Sequence, residues 1–190
     1  MNKKAIAVTA SVAALSAANA VRAAMYKPEK RELKPYTAEE VDIERFKKNL
    51  SDAIKIPTIA EKSPDDMNWE PFERFHAFLK ERYPLVHAHL SLEEPVQGSL
   101  LYRWKGKRDD LDPIALLSHQ DVVPISEGTW DDWTHPPFDG DDDGEFIWGR
   151  GALDMKNHLI GVMESVESLL AEGFEPVRDV YLCFGHNEEV

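Results

Sequence analysis

Two polar residues, His119 and Asp121, belong to the polar group 118–121, which follows directly after the apolar run Ile114 to Leu117. Such a run is typical of a short, fully buried β-strand. Residues two positions apart on a strand lie on the same side of a sheet, so both side chains would face one site. An imidazole can bind a metal ion, and a nearby carboxylate can orient the ring by accepting its second ring proton. The pair alone is weak evidence, because this spacing arises by chance in many proteins.

Three further acidic residues, Asp154, Glu188 and Glu189, lie where the chain turns. Asp154 comes between the glycine-flanked turn 149–151 and a predicted helix, a position at which Asp is usually the helix N-cap. Glu188 and Glu189 follow the apolar run 180–184. Paired carboxylates there would be unfavourable in a buried position unless a cation balances them, and would otherwise be solvated. Each residue taken singly therefore has an ordinary structural explanation.

Taken together, one imidazole and three carboxylates fall at strand ends or turns that are expected on the same edge of one sheet. Mixed nitrogen and oxygen ligands suit zinc, with manganese or cobalt as alternatives. A carboxylate with two oxygens can bridge two ions, and a free Glu nearby can accept a proton from water. The combined pattern predicts a metal-dependent hydrolase.

The elements that must position these residues alternate between helices and strands. Apolar residues at helical spacing predict helices, the first of them starting at a capping box formed by Thr37 and Glu40, and short apolar runs predict strands. The predicted helices cover residues 37–54, about 71–83 and 155–171, and the predicted strands cover 100–104, 114–117 and 180–184. This order predicts an α/β fold with a mostly parallel central sheet and helices on both faces.

The first twenty residues differ in composition from the rest. Lys3 and Lys4 precede a short apolar run, and Ala18-Asn19-Ala20 supplies a small-x-small cleavage pattern. This arrangement predicts an export signal over residues 1–20, with an uncleaved anchor or an organelle presequence as alternatives, and the run is too short for a stable membrane span. Residues 21–36 lack periodicity and are predicted to form a linker. The protein is therefore expected to be secreted, periplasmic or luminal.

Composition narrows the classes of partner. The chain has 190 residues, 43% of them hydrophobic, and a formal net charge of -13, which argues against nucleic acid because phosphate binding draws on clustered Lys and Arg. The single cysteine, Cys183, excludes an intrachain disulfide.

The acidic stretch 139–143 matches the opening of a calcium-binding EF-hand loop. Because Arg150 stands where the twelfth-position Glu is required, an acidic hairpin turn is the preferred interpretation.

Three ordered motifs in the chain resemble the carboxypeptidase S branch of the aminoacylase and carboxypeptidase G-like metallopeptidases. They are Leu116-Leu117-Ser118-His119-Gln120-Asp121-Val122-Val123-Pro124, Ile147-Trp148-Gly149-Arg150-Gly151-Ala152-Leu153-Asp154-Met155-Lys156 and Gly185-His186-Asn187-Glu188-Glu189-Val190, with Trp130, Trp133 and Pro136-Pro137-Phe138 between the first two. The resemblance runs from about Thr37 to the last residue. It assigns residues 37–190 to the N-terminal part of a zinc-dependent catalytic domain.

The resemblance implies a role for each candidate residue. His119 would bind one zinc ion, Asp154 would bridge two, and Glu189 would bind the other, so that the complete catalytic domain holds two ions. Glu188 would be the general base and later the proton donor, and Asp121 would support the site from the outer shell. Related proteins also carry a smaller lid domain, which implies a homodimer formed through a region that this chain lacks.

The activity implied by the resemblance is hydrolysis of an amide bond by a zinc-bridging water that Glu188 activates. The substrate would be a small peptide cleaved at its last bond or an N-acyl amino acid. Further metal ligands are expected after Val190, so the chain is expected to be a fragment whose sheet is incomplete at the C-terminus and which has no activity alone. The alternative is a non-catalytic remnant or binding protein that retains the scaffold.

Overall fold

The computed structural model of the chain describes residues 3–27 and 41–190. The chain divides into two compact units, Met1–Glu40 and Val41–Val190. The first contains helix α1, Lys3–Met25, which continues through residues 21–25 although the sequence analysis assigns them to a linker. Ala and Met favour helix, which explains the continuation. The rest of the predicted linker from residue 28 on, and the proposed capping box, lie outside the described residues.

In the described part of the chain, none of the helices combines the length and the hydrophobicity that a membrane crossing requires.

The second unit contains four helices and four strands, together with two short 3₁₀ turns at Pro64–Asp66 and Trp130–Asp132. The helices are α2 (Ile43–Ile54), α3 (Glu70–Arg82), α4 (Pro84–His89) and α5 (Asn157–Ala171). The strands are β1 (Ser91–Glu93), β2 (Leu100–Trp104), β3 (Ile114–His119) and β4 (Val180–Gly185). The predicted strands therefore correspond closely to β2, β3 and β4.

The four strands form one sheet in the order β1-β2-β4-β3. β3 and β4 run parallel, with His119 opposite Gly185, whereas β1 with β2 and β2 with β4 run antiparallel. The α/β class is confirmed, and the sheet within the described residues is mixed rather than mostly parallel. The reason is chain connectivity, because β1 and β2 follow one another through a short loop that permits only antiparallel pairing.

The core lies between one face of this sheet and the described helices α2 to α5. Alternate residues of the two central strands are buried there, namely Leu100, Tyr102, Trp104, Val180, Leu182 and Phe184. Facing them are the apolar stripes predicted for the helices, including Phe75 and Leu79 of α3 and Leu159, Met163 and Val166 of α5. Helices on both faces, as predicted, are thus not seen within the described residues.

The prediction that residues 114–117 are fully buried is wrong. Ile114 is 45% exposed and Leu117 is 66% exposed. β3 lies at the edge of the described sheet, and Leu117 stands opposite Cys183 on the face that the described helices do not cover. An apolar run predicts a strand but cannot show how many of its faces are covered.

Helix α2 begins later than the capping box predicted. Its N-cap is Asp42, whose carboxylate accepts a hydrogen bond from the backbone N–H of Arg45 at 2.9 Å. A buried carboxylate on α5 organises the start of α4 in a similar manner. Glu167, which is 4% exposed, accepts hydrogen bonds from the backbone N–H groups of Leu85 and Val86 at 3.1 Å and 2.9 Å. Both contacts satisfy helix N–H groups that have no partner within the helix.

The acidic stretch 139–143 forms a tight turn, as the hairpin interpretation predicts. Asp142 and Ile147 form an isolated antiparallel bridge, and the carboxylate of Asp143 accepts hydrogen bonds from the backbone N–H groups of Glu145 and Phe146. The indole N–H of Trp148 also donates to Asp143, at 2.6 Å. These contacts hold the pKa of Asp143 down at about 2.

Candidate metal centre

The five candidate residues come from three segments that the fold brings together. His119 ends β3 and Asp121 follows it, while Glu188 and Glu189 lie in the turn after β4. Because β3 and β4 are parallel neighbours, their carboxyl ends meet at the same sheet edge. Asp154 lies in an irregular turn, Ala152–Lys156, that leads into α5.

The turn that carries Asp154 departs from helical geometry. Asp154 has φ −120° and ψ 102°, and the Asp154-Met155 peptide bond is cis. The N-cap of α5 is Lys156, two residues further along the chain, so Asp154 does not cap that helix as the ordinary explanation of a carboxylate at this position would have it. Its side chain is 75% exposed and extends towards the end of β3.

The geometry of the centre is set by the His119 imidazole, which is 4% exposed. Its Nε2 lies 3.1 Å from Oδ1 of Asp154 and 3.7 Å from Oε2 of Glu188. His119, Asp154 and Glu189 each offer one ligand atom, and these atoms all lie within 4.8 Å of one another. Side chains from three distant parts of the sequence therefore converge on one point.

The other ring nitrogen of His119, Nδ1, contacts Asp121, the residue predicted to orient the ring. Its Nδ1 lies 3.0 Å from the backbone carbonyl oxygen of Asp121 and 3.5 Å from Oδ1 of the same residue. With Nδ1 occupied in this way, Nε2 is left facing Asp154. Partners of this kind fix the tautomer and orientation of an imidazole that binds a metal.

Asp121 also contacts the turn after β4. The backbone N–H of Glu189 donates a hydrogen bond to its Oδ2 at 3.0 Å. Asp121 is fully buried, and its Oδ1 has no hydrogen-bond partner among the described residues. A buried carboxylate with an unpaired oxygen is costly unless a positive charge lies close by.

The charge distribution of the cluster fits a cation. Burial, and after it the charge of Asp154, raise the pKa of Glu189 above its ordinary value, and Asp121 and Glu188 act in the same direction. Four carboxylates thus surround a single imidazole, and a divalent ion would offset their mutual repulsion. Mixed imidazole and carboxylate donors suit zinc. His119, Asp154 and Glu189 are the residues that fit such an ion.

Gln120, which lies between the two motif residues and is fully buried, joins the ends of three segments. Its amide nitrogen donates hydrogen bonds to the carbonyl oxygens of Gly98, Phe184 and Gly185 at 2.7, 3.2 and 3.2 Å. Its amide oxygen lies 2.7 Å from Nε2 of His76 on α3. No local pattern in the sequence distinguishes Gln120 from an exposed Gln.

Lys156 is a second residue that sequence reasoning missed. It is fully buried, its Nζ lies 4.9 Å from the centre of the Phe75 ring, and burial lowers its pKa to about 7. Nζ donates hydrogen bonds to the carbonyl oxygens of Ala53 and Ile56 at 2.9 Å and 2.5 Å. Lys is normally found at the solvated surface, so composition gives no signal of this burial.

All five predicted residues, His119, Asp121, Asp154, Glu188 and Glu189, lie in one cluster. Their grouping is a finding, whereas the individual roles stay predictions. The fold and the cluster together define an α/β protein with a candidate metal centre at the carboxyl edge of its parallel strands.

Residues 115–190 match the profile of the family described as peptidase family M20/M25/M40. The matched segment includes β3, the Asp154 turn, α5 and β4, and thus every residue of the cluster. The chain belongs to this metallopeptidase family, as the resemblance in its motifs predicted.

Several relatives are similar to the chain over most of its length. It is 45% identical over 151 residues to "Probable carboxypeptidase S-like 2" of Dictyostelium discoideum, covering 78% of this chain and 28% of the relative. It is 42% identical over 147 residues to carboxypeptidase S of Saccharomyces cerevisiae, covering 74% of this chain and 26% of that relative. With "N-fatty-acyl-amino acid synthase/hydrolase PM20D1" of Xenopus tropicalis the identity is 36% over 143 residues, and the match covers 74% of this chain and 27% of that relative. The chain thus spans less than a third of the length of these relatives.

Among solved structures, an M20 family metallo-carboxypeptidase from Sulfolobus solfataricus matches with a TM-score of 0.58 and 21% sequence identity. The match covers 74% of this chain and 30% of that structure. At this identity the likeness establishes the fold alone, namely the α/β architecture.

Proposed function

We propose that the full-length protein hydrolyses an amide bond in a small peptide or an N-acyl amino acid, using zinc ions held by this cluster. The observation that carries the proposal is the convergence of His119, Asp154 and Glu189, whose ligand atoms lie within 4.8 Å of one another. Membership of peptidase family M20/M25/M40 supports it, because the residues of the cluster all lie in the matched segment.

The cluster residues divide into those that hold the ions and those that do not. His119 and Glu189 would each bind one zinc ion, and Asp154, with two oxygens, would bridge a pair. Zinc held by these residues would supply a water that ionises near neutral pH and a positive charge for the carbonyl oxygen of the substrate. Asp121 would fix the ring orientation of His119 through the contacts at Nδ1 and hold the turn of Glu189 in place.

Glu188 is the residue best suited to move the proton. Its Oε2 lies 3.7 Å from Nε2 of His119, yet its side chain is 66% exposed and it does not belong to the three-residue ligand group. It would accept the proton of the attacking water and pass it to the nitrogen of the departing amine, so that the carbon–nitrogen bond breaks as the amine leaves neutral. A carboxylate that bound an ion with both oxygens could not perform this transfer.

The test is a hydrolysis assay on the full-length protein. C-terminal cleavage of dipeptides and longer peptides is compared with deacylation of N-acyl amino acids, including N-fatty-acyl ones, because the relatives' names divide along this line. We expect hydrolysis of at least one group, loss of activity after chelation, and recovery with Zn²⁺. Hydrolysis that survives complete removal of metal would contradict the proposal.

The 190-residue chain alone is proposed to be inactive and to bind zinc weakly. The described cluster offers one ligand atom from each of three residues, one fewer than the four-coordinate geometry that zinc prefers. Equilibrium dialysis against Zn²⁺ should give fewer than two ions per chain. A stable content of two ions per chain would contradict this view.

Export and assembly are proposed on the sequence alone. Residues 1–20 would direct the protein to a secreted, periplasmic or luminal location, and a lid domain outside this chain would join two copies. Mass spectrometry of the mature protein should find its N-terminus after Ala20, and sedimentation of the full-length protein should give a dimer. An intact Met1 on the mature protein would contradict the first statement, and a monomer the second.

A further inference from the structure

Two segments that carry candidate ligands, the end of β3 and the turn before α5, are tied to the same piece of backbone. This piece, residues 53–60, runs from the last turn of α2 to the short bridge between Ile59 and Val122, and is called here the anchor segment. Ala53, Thr58 and Ala60 within it are at most 1% exposed. Its backbone therefore has little freedom to move.

Lys156 connects the anchor segment to the turn of Asp154. Its Nζ donates hydrogen bonds to the carbonyl oxygens of Ala53 and Ile56 at 2.9 Å and 2.5 Å, where the helix dipole of α2 is negative. An amine and an ammonium both carry the two hydrogens that these bonds need, so the connection does not depend on the charge of Lys156. Asp154 lies only two residues away in the chain.

Thr58 connects the anchor segment to the end of β3. Its hydroxyl donates a hydrogen bond to the carbonyl oxygen of Gln120 at 2.5 Å, and its own carbonyl oxygen accepts from the backbone N–H of Val122 at 2.9 Å. Gln120 and Val122 flank Asp121, and Gln120 follows His119. The anchor segment therefore holds the His119 strand on one side and the Asp154 turn on the other.

The two held segments also touch each other without room for adjustment. Gly151, with φ +83°, precedes Asp154 in the turn, and a Cβ built on it would lie 2.7 Å from Cγ1 of Val122. A Cβ built on Gly149 would lie 2.5 Å from Cγ2 of Ile54, at the end of α2. Because these contacts are so close, the Asp154 turn cannot move nearer to the end of β3 or to α2.

We propose that Lys156 and Thr58 are positioning residues that set the distance between His119 and Asp154 before any metal binds, acting through the anchor segment. The inference rests on the proposed function, since it takes these two residues as metal ligands. Neither Lys156 nor Thr58 contacts the ligand atoms, so their effect reaches the site only through the position of the backbone.

The experiment uses the full-length protein and the variants Lys156→Met and Thr58→Val, each of which keeps the side-chain volume and removes the side-chain hydrogen bonds. Thr58→Ser, which restores the hydroxyl, is the rescue variant. Val166→Ala, in the core part of α5 and 4% exposed, is the control for general loss of stability. All variants are studied well below their unfolding temperatures, with circular dichroism to verify folding.

Two readouts are compared. In the metal-free chain, nuclear Overhauser contacts between the His119 ring and the Asp154 side chain should be present in the wild type, Thr58→Ser and Val166→Ala, and weakened in Lys156→Met and Thr58→Val. Zn²⁺ affinity should fall about 10-fold or more in the last two variants, the loss typical of outer-shell substitutions, and stay near wild type in the other two.

The outcomes separate this inference from the proposed function. Wild-type Overhauser contacts in folded Lys156→Met and Thr58→Val overturn the inference, whether or not zinc binds. Weaker contacts in Val166→Ala to the same degree also overturn it, because the effect would then follow stability alone. A full-length wild-type protein that has the contacts but binds no Zn²⁺ counts against the proposed function, while the variants' contacts still decide the inference. If Lys156→Met does not fold, the pair Thr58→Val and Thr58→Ser decides it.

Discussion

The backbone N–H of Glu189 donates a hydrogen bond to Oδ2 of Asp121 at 3.0 Å, while Oδ1 of the same carboxylate lies 3.5 Å from Nδ1 of His119. One buried side chain thus contacts both ends of the candidate centre. It orients the ring of one proposed ligand and holds the backbone of another. This double contact makes Asp121 more than a partner of its neighbouring imidazole.

We expect Asp121→Asn to weaken zinc binding about 10-fold to 100-fold, as outer-shell substitutions commonly do. The amide keeps one oxygen for the N–H of Glu189 but removes the negative charge near the ring of His119. Competition with a chromophoric chelator measures the affinity. The control is Asp131→Asn, an exposed position in the 3₁₀ turn Trp130–Asp132. Equal affinities in the two variants would show that Asp121 has no part in the centre.

The two adjacent glutamates should respond differently to the same substitution in the full-length protein. Glu188→Gln should retain zinc and lose turnover by about 10²-fold to 10⁴-fold, the usual contribution of a general base. Glu189→Gln should lose zinc, because it removes a proposed ligand. Metal content by mass spectrometry and kcat on the best substrate are measured together. Wild-type turnover in Glu188→Gln would refute its role in proton transfer.

Gly151→Ala should destabilise the protein more than Gly128→Ala. Both glycines have a left-handed φ, +83° and +79°, so both substitutions carry a backbone cost of about 1–2 kcal/mol. Only the new Cβ at Gly151 meets a neighbour, Val122 Cγ1 at 2.7 Å, which adds about 1–3 kcal/mol of overpacking. Urea unfolding measures both. A Gly151 variant as stable as the Gly128 variant would contradict the close packing of the Asp154 turn.

Asp179 should give acid-dependent stability. The backbone N–H of Gly106 and then the guanidinium of Arg103 hold the pKa of Asp179 at about 2, below its usual 3.8. The folded chain therefore keeps this carboxylate charged where the unfolded chain binds a proton. Its contribution is present above about pH 3.8 and is lost as the pH falls towards about 2. Asp179→Asn should lower the urea midpoint near about pH 6 and converge with wild type near about pH 2.

The exposed Asp65→Asn is the matched control for Asp179→Asn, since Asp65 lies in the 3₁₀ turn Pro64–Asp66 and is exposed to solvent. It should leave the urea midpoint unchanged at every pH. If the gap between wild type and Asp179→Asn stays constant from neutral to acidic pH, the ion pair with Arg103 has no role in this dependence.

The strands and the grouping of the site were readable from the sequence because short apolar runs end in polar residues. β2 has the predicted bounds, and the polar groups after β3 and β4 meet because these strands are parallel. The class of the fold and four members of the cluster follow from this regularity, whereas Asp154 was predicted from the glycine-flanked turn before α5. The motif resemblance then supplied the family, which the profile match confirms.

Other features depended on tertiary contacts that no local pattern encodes. Leu117 is exposed because the described helices cover only one face of the sheet. An apolar side chain in the sequence does not indicate which face is covered. Lys156 is buried because carbonyl oxygens of Ala53 and Ile56, about a hundred residues earlier, accept its hydrogen bonds. The N-cap of α2 is Asp42, and choosing it over Thr37 requires knowing where packing begins to support the helix.

The parallel pairing of β3 with β4 has a consequence for the order of folding. Parallel neighbours need a long crossover, and here it contains the Asp154 turn and the whole of α5. His119 and Glu189 cannot approach until that loop has closed, and closing long loops is a slow step. A metal ion that needs both residues as ligands would therefore bind once the crossover has closed. It would enter an already assembled sheet and act afterwards, slowing the reopening of the crossover rather than speeding its formation.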